Sequence, residues 1–155
     1  MLSRRSGALA GLAALMSMAA GACEDCEQPA ACPCRVPVTV TVVNVVDGDT
    51  IDVDPPVPLP GGGELARVRL LCLSTPEPGD CYSSEAAGAL GDWVDGETVR
   101  LTFGEECEGK WGRLLANVWL EDTLVNAEMA RGGYGGLYDS YADTPCSEEL
   151  EEAME

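Results

Sequence analysis

From Val36 to Val53 the chain reads VPVTVTVVNVVDGDTIDV, β-branched residues in alternation, broken once by Asp-Gly. Alternation of period two over such a length specifies strand. An Asp-Gly pair between two alternating runs is a strong short-range signal for a hairpin. The fold therefore starts from a two-stranded antiparallel ribbon, which is marginal alone and needs more strands or a helix over its apolar face. The turn requires only Asp47 and Gly48. Asp49 comes after it, at the mouth of the returning strand, either as a solvated corner residue or as part of a metal site.

The rest of the sequence supplies the missing elements. TIDVD (50–54) returns from the turn, and PPVPLPGGG (55–63) reads as a loop because proline cannot continue a ladder. ELARVRLLCL (64–73) is apolar enough for a buried third strand. SSEAAGALGDWV (83–94) has helical spacing, with Ser83 or Ser84 as N-cap and Gly88 and Gly91 as weak points. ETVRLTF (97–103) and RLLANVWL (113–120) are the fourth and fifth strands, and Glu121-Asp122 makes the following turn. NAEMARGG (126–133) reads as a helix capped by Asn126 and stopped by glycine, and a last short helix begins at Ser147. Three strands, a helix, two strands and a helix is the order of an OB-fold. The predicted class is α+β: a mainly β, five-stranded Greek-key barrel with two or three short helices.

Residues 1–22 stand apart from this domain. A cationic MLSRR precedes an apolar run of 14 residues, too short for the ~20 that cross a bilayer and suited to a secretory signal. Ala20, Gly21 and Ala22 then precede Cys23. Small residues there fit ordinary signal cleavage, and a cysteine immediately after them resembles a bacterial lipobox, although Ala20 stands where that pattern prefers Leu. Both readings cut after Ala22. The leading one is a lipoprotein anchored in the membrane through Cys23, and the alternative is a freely secreted or periplasmic protein. Residues 23–36 form a Cys/Pro-rich tether, and 37–155 the folded domain.

Export makes disulfides the default for the eight cysteines. With Cys23 lipidated, seven remain and one is unpaired; Cys72, inside RLLCL, is expected to pack there as a small hydrophobe. CEDCEQPAACPC places four sulfurs close together, but without histidine a disulfide-bearing tether is preferred to a zinc site. Loss of the two leader arginines leaves seven basic residues against 27 acidic ones, a net charge of −20. Such a chain repels polyanions at long range, which disfavours tight, sequence-independent nucleic-acid binding. All the basic residues of the exported chain except Arg35 lie between Arg67 and Arg131.

Three stretches carry the chemistry: DGDT (47–50), VRLLCLSTPE (68–77) and GKWGRLLANV (109–118). With LVNAEMARGGY (124–134), they resemble the staphylococcal nuclease, or thermonuclease, family in order and spacing, over about Val38 to Tyr141. The resemblance implies a Ca²⁺-dependent phosphodiesterase acting on DNA or RNA. Asp49 matches the family's calcium-ligating aspartate and Thr75 the threonine whose main-chain carbonyl binds calcium. Arg69 and Arg113 match the two catalytic arginines, and Glu77 the proposed general base. Trp111 stands where the family usually has a Tyr against the nucleotide. Lys110, Tyr138 and Tyr141 are candidate substrate contacts, with Tyr134 also able to stack.

These residue types suit the reaction. In-line hydrolysis needs a deprotonated water, which a carboxylate near a metal provides. It also needs charge stabilised on the phosphoryl oxygens, which guanidinium supplies. Calcium takes hard oxygen ligands. One position departs: Ser74 replaces the family's second metal-ligating Asp, so a neutral hydroxyl stands where a charge is expected. Ser74-x-x-Glu77 is also a capping-box pattern with a purely local role. Family topology further implies a Cys81–Cys107 disulfide at the rim of the site. The leading expectation is an exported, lipid-anchored, monomeric nuclease weakened at Ser74. The alternative is a non-catalytic OB-fold binding module.

Overall fold

The computed structural model describes residues 36–138, with 150 and 152. The leader, the tether with Cys23, Tyr141 and the start of the helix expected at Ser147 lie outside the described residues; Leu150 and Glu152 are helical.

Alternation becomes structure as expected in the first hairpin. β1 (Val38–Asp47) and β2 (Thr50–Pro58) run antiparallel, burying Val40, Val42, Ile51 and Val53 on one face. β3 (Glu64–Leu70) pairs with β2. After a two-residue turn, Leu71-Cys72, comes β4 (Leu73–Ser74), then α1 (Ser83–Val94). β5 (Thr98–Glu108) pairs antiparallel with β1, and β6 (Leu114–Leu120) antiparallel with β5. A parallel pairing of β6 with β3 closes β1-β2-β3-β6-β5 into a five-stranded barrel. The order and closure are those of the expected OB-fold barrel. β7 (Thr123–Leu124) leads into α2 (Val125–Arg131), and β8 (Gly136–Leu137) pairs with β4.

The core fills the barrel and the space beneath the helices. α1 presents Ala86, Leu90 and Val94 at intervals of four, one face of a helix, while Gly88 and Gly91 lie off that stripe in open space. Leu150 is fully buried in the same cluster as Leu73, Leu90 and Met129.

Five local expectations are corrected. β2 does not stop at the prolines: a register shift between Asp52 and Val57 takes Pro55 and Pro56 out of the ladder with β3, so no strand hydrogen bond is forfeited. Neither Ser83 nor Ser84 caps α1; Tyr82 takes the N-cap position at φ 72°, without a side-chain bond. Asn126 lies inside α2 rather than capping it, because its buried amide bridges Val118 N–H and the Leu71 carbonyl, each at 2.9 Å. Cys72 is not the free thiol and Cys81 does not pair with Cys107. Cys72 and Cys107 are both disulfide-bonded, and the free cysteine among the described residues is the exposed Cys81. Thiol burial is thus a poor guide here: the buried sulfur is oxidised and the exposed one is not.

Candidate active site

The hairpin corner resolves the position of Asp49. Asp47 pairs with Thr50, so the two turn residues are Gly48 and Asp49, one step later than the Asp-Gly reading. Asp47 Oδ1 accepts the Asp49 N–H at 3.0 Å, an Asx turn that fixes the corner. Gly48 is needed for room rather than handedness, since its φ is not positive. A Cβ there would lie 2.6 Å from Ala86 Cβ and 2.7 Å from Thr75 Oγ1. The corner is therefore pressed against α1 and Thr75, and Asp49 turns inward. Its carboxylate is buried and fully engaged. Thr75 donates to Oδ2 from its amide and its hydroxyl, both at 2.9 Å, and Thr50 donates to Oδ1 at 3.1 Å. Arg69 completes the set with an ion pair to Oδ1.

Ser74 belongs to β4, opposite Gly136. No helix begins there, so the capping-box alternative for Ser74 and Glu77 falls away; α1 starts nine residues later. Glu77 is exposed instead, on the wall of a cleft of about 760 Å³. Arg113 and Trp111 line the same cleft. They ride on the 109–113 turn, closed by Gly109 N–H to the Arg113 carbonyl at 2.8 Å, with Gly112 at φ 64°. The parallel register sets Arg69 opposite Leu115, which carries Arg113, two residues earlier, to the same end of the barrel. Trp111 is 81% exposed, a flat apolar ring offered to solvent at the lip.

The structure therefore brings Glu77, Trp111 and Arg113 into one cleft, and Asp49, Arg69 and Thr75 into a buried knot. Lys110 is exposed on the same turn as Trp111, and Tyr138 is partly exposed beside β4, its N–H on the Cys72 carbonyl at 3.0 Å; neither lines the cleft. Tyr134 packs against the core. Two cleft residues escaped sequence reasoning: Arg67 and Asp52. They are cross-strand partners in β3 and β2 and form a fork, Nε to Oδ1 at 2.8 Å and Nη2 to Oδ2 at 3.1 Å. Asn44 adds a third bond to Asp52 at 3.0 Å. The Arg67 bond is the main reason the Asp52 carboxyl titrates below its ordinary range, against an opposing effect of burial, and Asp52 in turn raises Arg67. Alternation puts Arg67 and Arg69 on one face of β3, which is the signal that could have found Arg67, though not its partner.

The groups the resemblance assigns to calcium, the Asp49 carboxylate, the Ser74 hydroxyl and the Thr75 carbonyl, are hard oxygens of the kind calcium takes, and Thr75 packs directly against Asp49. They fit a calcium site of low charge count. Asp49 brings the one carboxylate, and among the described residues no three His, Cys, Asp or Glu side chains cluster to hold an ion. An ion held by Asp49 would compete with Arg69 for its carboxylate.

The sequence also matches known proteins. Residues 67–155 match the family model described as staphylococcal nuclease homologue, a stretch holding Arg69, Ser74–Glu77 and Arg113. A thermonuclease of Staphylococcus intermedius is 36% identical over 98 residues, 59% of this chain and 55% of the relative. An uncharacterized protein of Bacillus anthracis is 36% identical over 121 residues, 74% of this chain and 53% of the relative. An uncharacterized endonuclease of Escherichia coli O157:H7 is 31% identical over 105 residues, 67% and 63% of the two chains. The matches to the first two span little more than half of those relatives' length.

Proposed function

The chain belongs to the staphylococcal nuclease family, and from that premise we propose that it is a nuclease hydrolysing phosphodiester bonds in DNA or RNA. The observation that carries the reading is the meeting of Glu77, Arg113 and Trp111 on one open cleft, with the largely buried Arg69 two residues along β3 from the cleft residue Arg67. A carboxylate free in solvent can take a proton from an attacking water. Arg113 supplies fixed charge for the phosphoryl oxygens, where it counts most in the transition state. Trp111 gives a base a face to stack on. Arg69 shares its charge with Asp49, so its contribution depends on how firmly Asp49 holds it. Asp49, Ser74 and the Thr75 carbonyl would hold Ca²⁺, which when bound supplies Lewis-acid polarisation of phosphate and water.

A specific observation also supports a second reading, a binding module without catalysis. Ser74 withholds the second carboxylate, and every oxygen of Asp49 is already engaged. Titration of calcium against cleavage of single-stranded DNA, at low and high salt, separates the two. Calcium-stimulated hydrolysis abolished by Glu77→Gln supports the enzyme; oligonucleotide binding without hydrolysis supports the module. We further propose export and lipid anchoring at Cys23, supported by the leader and the Ala-Gly-Ala-Cys junction. Cys23→Ser should move the protein from the membrane fraction to a soluble exported form.

A further inference from the structure

Arg67 and Asp52 line the cleft but have no part in the reading above. An exposed cross-strand ion pair is usually worth little to stability, and that bland account leaves two features unexplained. The first is placement. The exported chain is strongly acidic, yet Arg67 shares this cleft with Arg113 and stands two residues along β3 from Arg69. The second is preparation. The bonds to Asp52 occupy two of the five guanidinium N–H groups, and Asn44 steadies the Asp52 carboxylate from the other side. A fork held this way loses less freedom on meeting an anion than a loose side chain does. Half of Arg67 stays exposed, so three donors remain for a ligand in the cleft.

We propose that Arg67, oriented by Asp52, binds a phosphate flanking the one under attack, and so favours extended strands over substrates with a single phosphodiester. The inference rests on the nucleic-acid reading of the cleft. Two side chains spaced by one strand alternation, about 7 Å, let Arg69 and Arg67 serve different phosphates. Asp52 both aims the guanidinium and weakens its field, which keeps the contact a positioning one.

The test uses the exported protein with a fluorescent single-stranded oligonucleotide and a dinucleotide carrying one phosphodiester. Arg67→Gln is expected to weaken oligonucleotide binding, and raise its KM, roughly tenfold, as loss of one charge-assisted contact does. Its kcat should stay within about twofold, dinucleotide cleavage should not change, and the salt slope of binding should fall by about one. Arg67→Lys keeps the charge without the fork and should retain most of the salt slope. An Arg67→Gln protein that binds the oligonucleotide with unchanged affinity and salt slope overturns the inference, and so does an equal loss of turnover on both substrates. If the wild type cleaves nothing but Arg67→Gln still binds more weakly, the Arg67 phosphate contact stands, its place beside a phosphate under attack is overturned, and the nuclease reading falls. A wild type that binds no oligonucleotide at low salt ends both.

Discussion

The Arg69 guanidinium closes on the Asp49 carboxylate in a pair that leaves 11% and 4% of the two side chains exposed. A catalytic candidate and a metal-ligand candidate are thus also each other's counter-ion. Removing one partner from a buried pair strands the other, at ~3 to 5 kcal/mol. Asp49→Asn is expected to lose stability in that range in urea denaturation. Arg69→Gln should lose less, since Thr50 and Thr75 still serve Asp49. The double variant should recover part of the sum, and strict additivity would show that the pair does not couple.

Ser74→Asp adds a second carboxylate at the residue before Thr75, which is bonded to Asp49, and should tighten calcium binding. Stabilisation by a ligand follows its concentration relative to Kd, ~1.4 kcal/mol at ten times Kd and ~2.7 at a hundred. With a weak wild-type site, millimolar calcium should raise the melting temperature little, and more in Ser74→Asp. Hydrolysis should rise in step, most visibly at low calcium. A variant that binds calcium yet stays inert would place the defect beyond the metal and favour the binding module.

Gly48→Ala tests the packing of the corner. The added methyl meets Ala86 Cβ and the Thr75 side chain well inside contact distance, and overpacking of this kind costs ~1 to 3 kcal/mol. Because Thr75 must shift, its two bonds to Asp49 should loosen as well. Thermal denaturation reads the cost, and calcium-dependent melting reads the damage to the site. A variant as stable as wild type would mean that α1 moves away freely.

Legibility in the sequence follows the range of the interaction. Alternation is local, so the strands of VPVTVTVVNVV and ETVRLTF and the extent of α1 could be read directly. Asp49, Arg69, Thr75, Glu77 and Arg113 came from the resemblance to the thermonuclease family. What failed was long-range or competitive. The pairing of Arg67 with Asp52 depends on the β2–β3 register, which no local pattern prints. Asn126 looked like a cap because its competing partners, Val118 N–H and the Leu71 carbonyl, lie 8 and 55 residues away. Cys72 looked like a core thiol because burial and oxidation are independent properties of a sulfur.

The same Asn126 gives a stability prediction with no expected catalytic component. Asn126→Ala leaves a buried amide and a buried carbonyl without their partner, at ~1 to 3 kcal/mol each before any relaxation. A loss of ~2 to 4 kcal/mol in urea denaturation is expected, and a near-neutral substitution would mean that water replaces the side chain.

Asp52 provides a pH signature for the pair it forms with Arg67. Its folded carboxyl titrates below the ordinary value, chiefly through the Arg67 bond. A depressed acid stabilises the fold above the unfolded pKa of about 3.9, and that contribution is lost as pH falls through the folded value. Arg67 is half exposed, so screening holds the amount to about 1 kcal/mol or less. The stability difference between wild type and Asp52→Asn should therefore be flat from about pH 5 to 8, shrink with added salt, and begin to close as pH falls below about 4. Urea denaturation of both proteins across that range measures it. A difference that persists undiminished at about pH 3 would show that Asp52 acts through its hydrogen bonds as a neutral acid rather than through its charge.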